Sequence, residues 1–392
     1  MKIDPLIRRI DFMHDEIIDF LVELVKINTV NPPGDTRKAF QLVEQKLREA
    51  GIKYTIEKIQ DDKPNIIARI GDGRPELCFN SHLDVVPPGD INNWTHDPFG
   101  AEIVNGIIYG RGCADAKANT VAMVMAGKAV VEEGLKLRGT MILNPVSDEE
   151  SGGLAGAKHC LNSGLRPDYV VVGEQTDNKI AIAEKGGVWF YVKTKGRAAH
   201  ASTPWEGISA IDKMRKFLNE VEEKIGRKIA MQRHPLTTPP SICVGTISGG
   251  VRLNMVPDSC EVTIDRRMIP GQTTEEIKRE IFEIIEDLQK SDPDFKADVI
   301  VLAEGHPFET SPDNKLVKAA QEVYRELKLD PKLTGYAQIS DGRFFAEIGI
   351  PTIIIGPSDP RVGHQPDEHF KVEDVIDTTK IYALLASKML AG

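Results

Sequence analysis

The stretch Thr140-Met141-Ile142-Leu143-Asn144-Pro145-Val146-Ser147-Asp148-Glu149-Glu150-Ser151-Gly152-Gly153 decides the fold class of this chain. Its first half is an apolar run of strand length. Its second half sets three carboxylates in a row at the strand's end, ahead of two glycines. Like charges repel, and burying one of them alone carries a large desolvation cost. Such a cluster calls for a cation. Suitable partners recur along the chain: His82 with Asp84, then Asp115, Glu174 and finally His364. The chain reads as organised around a pair of metal ions, with Glu149 as the base beside them.

Outward from this stretch, strand and helix patterns alternate. Strands are expected at 52–59, 65–70, 76–80, 168–173, 179–184 and 351–355, and helices at 15–27, 37–50, 118–132, 153–163, 314–327, 341–348 and 373–390. Short strands at 101–104 and 107–109 flank Asn105-Gly106, a hairpin signal. This alternation predicts an α/β domain with a central, mostly parallel sheet flanked by helices. Near residue 186 the pattern changes to strand 188–195, helix 205–225, strands 241–247 and 260–266, helix 273–288 and strand 297–302. That β-α-β-β-α-β order is the split βαβ arrangement of a ferredoxin-like domain. The expected division is therefore a discontinuous domain of 1–186 and 304–392, with 187–303 inserted.

Composition narrows the class. The 392 residues are 41% apolar and 28% charged, ordinary for a soluble globular protein. Net charge is −10 and no Lys/Arg-rich run occurs, so no nucleic-acid partner is expected. The five cysteines, Cys78, Cys113, Cys160, Cys243 and Cys260, are dispersed without a CxxC, which points to a reducing compartment and away from disulfides or a thiolate metal site. Met1-Lys2-Ile3-Asp4-Pro5 interleaves charges with apolar residues and lacks a signal-peptide core. No run of roughly 18 apolar residues offers a membrane span. The expectation is a cytoplasmic protein without membrane contact.

Catalytic zinc sites draw on His and carboxylate ligands and leave a position open. Two-metal hydrolytic sites hold ions roughly 3.5–4 Å apart and need a bridging carboxylate, terminal carboxylates, a His for each ion and a base. His82 and His364 supply the imidazoles. Asp115, in a glycine-flanked loop before a helix, is the natural bridge, and Glu150 and Glu174 are the terminal carboxylates. Glu149 adjoins a ligand and is the candidate base. Asp84 is expected to receive the other ring N–H of His82. Singly, each has a plainer reading: an N-cap for Asp115, a dipole-favoured acidic cluster for 148–150, a solvated strand end for Glu174. His14, His96, His159, His234, His306 and His369 keep that plain reading, as does Cys113. What joins the set is placement, since every member follows an apolar strand or opens a helix, the edge where ligands bind in open α/β sheets.

Ser81-His82-Leu83-Asp84-Val85-Val86-Pro87, Gly110-Arg111-Gly112 with Asp115 and Lys117, Asp148-Glu149-Glu150, Gly173-Glu174 and His364-Gln365-Pro366-Asp367-Glu368 occur in this order. They resemble the metal-binding motifs of the dizinc amidohydrolase family that includes acetylornithine deacetylase, succinyl-diaminopimelate desuccinylase, aminoacylase and carboxypeptidase G. The resemblance spans nearly the whole chain. It implies His82, Asp115, Glu150, Glu174 and His364 as ligands, Asp115 as bridge and Glu149 as base. It also implies two divalent ions, zinc first with cobalt or manganese acceptable, and a ferredoxin-like lid through which the protein forms a homodimer. His200, in Gly196-Arg197-Ala198-Ala199-His200-Ala201-Ser202, resembles the lid His that reaches the other subunit's site and stabilises an oxyanion. Asn254 and Arg267 resemble residues that hold a substrate carboxylate. Ser340-Asp341-Gly342-Arg343 resembles the desuccinylase substrate loop, whereas 364–368 lies closer to the acetylornithine branch. One departure is Ala116-Lys117-Ala118-Asn119, where the family usually carries a Met and paired glycines.

The expected reaction is hydrolysis of the amide bond of an N-acyl amino acid beside a free carboxylate, with Asp84 and His200 assisting Glu149. Carboxypeptidase or dipeptidase action on a short peptide is chemically the same event and stands as the alternative. A non-catalytic amino-acid or peptide binder on this scaffold would carry a damaged base or ligand set, and none is damaged here.

Overall fold

The computed structural model describes residues 4–391. Residues 1–3 and 392, which the N-terminal reading and the expected domain limits include, lie outside the described residues. The chain divides into two compact units, one of 1–182, 310–336 and 340–392, the other of 183–309 with 337–339. No helix among the described residues is long and apolar enough to cross a membrane.

In the first unit, four strands run parallel side by side: Thr140–Val146, Glu76–His82, Tyr169–Val172 and Thr352–Ile354. Pro64–Ile70 and then Lys53–Lys58 extend the sheet antiparallel beyond Thr140–Val146. Every residue of Thr140–Val146 is buried, as a strand covered on both faces requires. The helices Ala118–Glu132 and Val372–Leu390 pack on one another and on the sheet. Ala118–Glu132 packs through four alanines and Gly127, where a Cβ would stand 2.8 Å from Leu143. Parallel strands bring their carboxyl ends to one edge. His82 closes its strand there, Ser147 to Glu150 follow Val146, and Glu174 follows Val172.

The second unit is a four-stranded antiparallel sheet in the order Ser241–Gly249, Ser259–Met268, Gly186–Lys195, Lys296–Gly305. Alternate residues Val188, Phe190, Val192, Val262 and Ile264 pack against Met214 and Phe217 of the helix Ala210–Glu220 and against Ile277, Ile281 and Ile284 of Thr274–Ser291. With its two helices, this sheet is the split βαβ arrangement anticipated from the strand and helix order.

Several elements differ from the sequence reading. The helix expected over 205–225 starts at Ala210, because Gly207 is extended and the Ser209 side chain caps the Asp212 N–H. It then widens over Val221–Gly226 before Arg227–Ala230. The helix expected over 153–163 is only Ala157–Asn162, since Gly152 and Gly153 are left-handed and a Cβ at Gly156 would meet the Ser147 carbonyl at 1.9 Å. Pro5–Phe12 forms an unanticipated helix capped by Asp4. The Asn105-Gly106 hairpin is present, with both residues at positive φ, and an unanticipated strand, His369–Lys371, pairs with its Ile107–Tyr109 arm.

Asp292 closes the helix Thr274–Ser291 and binds Lys213 at 2.8 and 2.9 Å and Lys216 at 2.7 Å. Hydrogen bonds from these lysines lower its pKa to about 2. A carboxyl depressed in the folded state stabilises above its unfolded pKa and loses that contribution as pH falls through the folded value. Asp292→Ala is therefore expected to cost about 1–2 kcal/mol at pH 7. By denaturant titration the gap to wild type should close as pH approaches 2.

Candidate metal centre

His82 is buried at the end of its strand. Its Nε2 lies 3.1 Å from Asp115 Oδ1 and 3.6 Å from Glu174 Oε1. Its Nδ1 donates to the backbone carbonyl of Asp84 at 2.9 Å. This corrects the expected role of Asp84, whose carboxylate stands 3.7 Å from Nδ1. That carboxylate is engaged elsewhere, accepting the Asn31 amide at 2.8 Å and the backbone N–H groups of Glu149 at 3.1 Å and Glu150 at 3.2 Å. The backbone therefore fixes the His82 tautomer, and the Asp84 side chain pins the acidic loop.

Asp115 turns its second oxygen to His364, with Oδ2 to Nε2 at 3.2 Å, and His364 Nε2 is 3.2 Å from Glu150. Two donor groups result, His82–Asp115–Glu174 and Asp115–Glu150–His364, with the candidate ligand atoms of each within 4.8 Å of one another. They share Asp115.

The electrostatics show a cluster in want of positive charge. Burial lifts the Glu174 carboxyl well above the usual range, and burial with the nearby Asp115 lifts Glu150 to about 7. Burial also opposes ionisation of Asp115, but hydrogen bonds from His364 and His82 outweigh it and hold that carboxyl low. His364 is raised to about 10 by its bonds to Asp115 and Glu150. With Nδ1 of His82 donating to a carbonyl, loss of the Nε2 proton leaves a lone pair facing the Asp115 and Glu174 carboxylates, ready for a cation. This donor set, imidazole and carboxylate oxygen without thiolate, fits two divalent ions of the zinc, cobalt or manganese kind.

A model of peptidase family M20/M25/M40 matches residues 78–388. The chain belongs to that family. It is 29% identical to a succinyl-diaminopimelate desuccinylase of Acinetobacter baylyi, over 96% of this chain and 99% of the relative. It is 26% identical to an N-formyl-4-amino-5-aminomethyl-2-methylpyrimidine deformylase of Bacillus subtilis, over 97% of this chain and 96% of the relative. Its fold is similar to that of a tripeptidase from Staphylococcus aureus, with a TM-score of 0.79, 22% identity, and 96% and 98% of the two chains covered. This M20 chain is a metal-dependent hydrolase.

Around the candidate metal centre of this M20 enzyme, the loop 148–153 is clamped from several sides. Asp148 pairs with Lys63 and accepts the Ala155 N–H at 3.0 Å. Glu149 belongs to neither donor group. Burial raises its carboxyl, with His82 and Arg343 pulling the other way. The residues expected as a substrate loop have a different placement. Ser340, Asp341, Gly342 and Arg343 are buried, and the Arg343 guanidinium donates to the carbonyls of Gly152 at 2.8 Å and Ser340 at 3.1 Å. Arg343 thus braces the loop that carries Glu149 and Glu150. Asp341 packs where a Cβ on Gly153 would fall, and burial then Glu149 raise its carboxyl well above the usual range.

In the second unit, the structure brings His200 and Asn254 together: Ala201 N–H donates to the Asn254 carbonyl at 3.0 Å, and His200 bridges to Met255. His200 is exposed. Its Nδ1 accepts the Ser202 N–H at 3.2 Å, which leaves Nε2 as the donor nitrogen. Arg267 lies over the Trp189 ring and pairs with Asp265 at 2.8–3.1 Å through Nε and Nη2.

Residues that the sequence reading left without a task also build the site. Lys117 is fully buried, donates to the Ile27 carbonyl at 2.7 Å, and has its pKa pushed down to about 7 by burial. Arg111 and Glu368 form a buried pair at 2.5 Å. All three stand in quoted motifs, but nothing in a linear sequence marks a charged residue as buried.

A carboxyl raised in the metal-free fold favours folding while protonated, and that contribution fades as pH rises from its unfolded value through about 7 for Glu150. Cations displace these protons. Chelator-treated protein is therefore expected to lose melting temperature from pH 5 to 8, and added zinc should raise it more at pH 8 than at pH 5.5. Thermal denaturation with and without zinc checks both.

Proposed function

We propose that this M20 hydrolase cleaves the amide bond of N-acyl amino acids. The observation that carries the reading is Glu149, a carboxylate beside the ligand candidate Glu150 that is itself outside both donor groups. His82, Asp115, Glu150, Glu174 and His364 would hold two divalent ions, which when bound polarise a carbonyl and bring the pKa of a water toward about 7. Glu149 takes the proton from the attacking water and delivers it to the leaving nitrogen as the C–N bond breaks, giving a carboxylate and an amine. Asp84, tied to both N–H groups of the 149–150 segment, keeps that base in place. His200 Nε2–H is the donor for the carbonyl oxygen as it becomes an oxyanion. Arg267, preoriented by Asp265 and Trp189, and Asn254 take the substrate's free carboxylate.

The curated relatives named above, a desuccinylase and a deformylase, remove small acyl groups and support this choice over peptide cleavage. Glu149→Gln should retain metal and lose turnover by about 10²–10⁴-fold. The defining assay is a panel of N-acetyl, N-succinyl and N-formyl amino acids beside di- and tripeptides, run with metal-reconstituted protein. Preference for a peptide would replace the proposed substrate class. A Glu149→Gln enzyme with wild-type rate would refute the base.

We also infer a homodimer formed through the second unit, in a cytoplasmic setting that suits the free cysteines. Ser241–Gly249 is an edge strand exposed along nearly its whole length, and Ile247, Val251 and Leu253 nearby are 61%, 80% and 100% exposed. Such an edge favours pairing with a second copy. If His200 serves the other subunit, mixing inactive Glu149→Ala and His200→Ala protomers should restore part of the activity. No recovery after demonstrated subunit exchange would place His200 in its own subunit's reaction.

A further inference from the structure

Glu368 lies four residues after His364 and is fully buried. One of its oxygens, Oε1, accepts three backbone N–H groups: Gly112 at 3.0 Å, Ala114 at 2.9 Å and Asp115 at 3.0 Å. The other, Oε2, takes Arg111 at 2.5 Å. Its backbone carbonyl accepts the Gly110 N–H at 2.9 Å. The loop 110–115 is therefore wrapped around a single residue. Gly112 permits this, being left-handed at φ 83°, with Val85 only 2.4 Å from where a Cβ would stand.

Two consequences follow. The Asp115 N–H points to Glu368, so both Asp115 carboxylate oxygens remain available, one toward His82 and one toward His364. Arg111 balances the Glu368 charge, so the clamp adds little net field at the metal centre. Trp94 lies over the Arg111 guanidinium, 5.2 Å from its carbon to the ring centroid. A buried carboxylate paired in this way is costly to perturb.

We propose that Glu368 is a positioning residue that ties the Asp115 loop to the His364 segment and thereby sets the affinity for the ion held by Asp115, Glu150 and His364. The inference rests on reading Asp115 as a ligand shared between two ions. Two of the three ligands in that group sit on the segments that Glu368 joins. In the His82–Asp115–Glu174 group only Asp115 does, because His82 and Glu174 follow sheet strands. Loosening the clamp should therefore weaken one ion more than the other.

The test is calorimetric titration of zinc into metal-free full-length protein. The binding step that disappears in His364→Ala identifies the Asp115–Glu150–His364 ion. In Glu368→Gln that step should weaken about ten- to hundredfold, with a smaller change in the other step. The proposal is overturned if the step stays within about threefold of wild type, or if both steps weaken equally, as a general loosening would produce. Glu368→Asp keeps the charge facing Arg111 while withdrawing Oε1 from the three N–H groups, and it is read by the same limits if the Gln variant does not fold. Asp115→Ala is the separate control. If it leaves both steps intact, the shared-ligand reading fails, whatever Glu368 does.

Discussion

Repulsion among buried and half-buried carboxylates is the constraint on which the catalytic unit depends. Asp115, Glu149, Glu150 and Glu174 converge at one edge of a parallel sheet, with two imidazoles as the facing partners. In low dielectric such a group either takes up protons or holds cations. The upward shifts at Glu150 and Glu174 are the first response, and a pair of divalent ions is the second. Parallel strands make the convergence possible because their carboxyl ends share an edge, and backbone hydrogen bonding keeps those ends from relaxing apart.

A second layer of carboxylates does different work. Asp84 accepts the N–H groups of Glu149 and Glu150, Asp148 holds Ala155 and Lys63, and Glu368 holds the Asp115 loop. Each is buried, and each uses its charge on backbone donors or a paired cation. Loops without regular ladders need such partners for their polar groups. The result is a ligand set held by fixed dipoles, which suits a centre that must accept charge without rearranging.

His364 was legible in the sequence because its motif resembles the family's, and His82, Asp115, Glu150 and Glu174 because they follow strands or precede a helix, where periodicity stops and polar residues stand out. The β-α-β-β-α-β order was legible for the same reason. Hydrogen-bond routing was not. The turn after His82 puts the Asp84 carbonyl closer to Nδ1 than its side chain, a matter of a fraction of an ångström that no motif records. Arg343 read as a substrate contact because its loop resembles the desuccinylase substrate loop. Its guanidinium instead spans to Gly152, 191 residues away in the chain. Apolar spacing continues back through Trp205, but the helix expected over 205–225 begins later, at Ala210, because Gly207 and the Ser209 cap set the start.

By itself the sequence determined the alternation of strands and helices, the split βαβ insertion, and the carboxylates and histidines able to bind metal. These follow from local periodicity and residue chemistry. Only the tertiary structure decided that Asp115 faces both His82 and His364, that Asp84 and Arg343 hold the Glu149 loop, and that Glu368 carries the Asp115 loop on one oxygen. Those relations join residues that are distant in the chain. Distance, burial and hydrogen-bond direction arise only once the sheet brings the segments to a common edge.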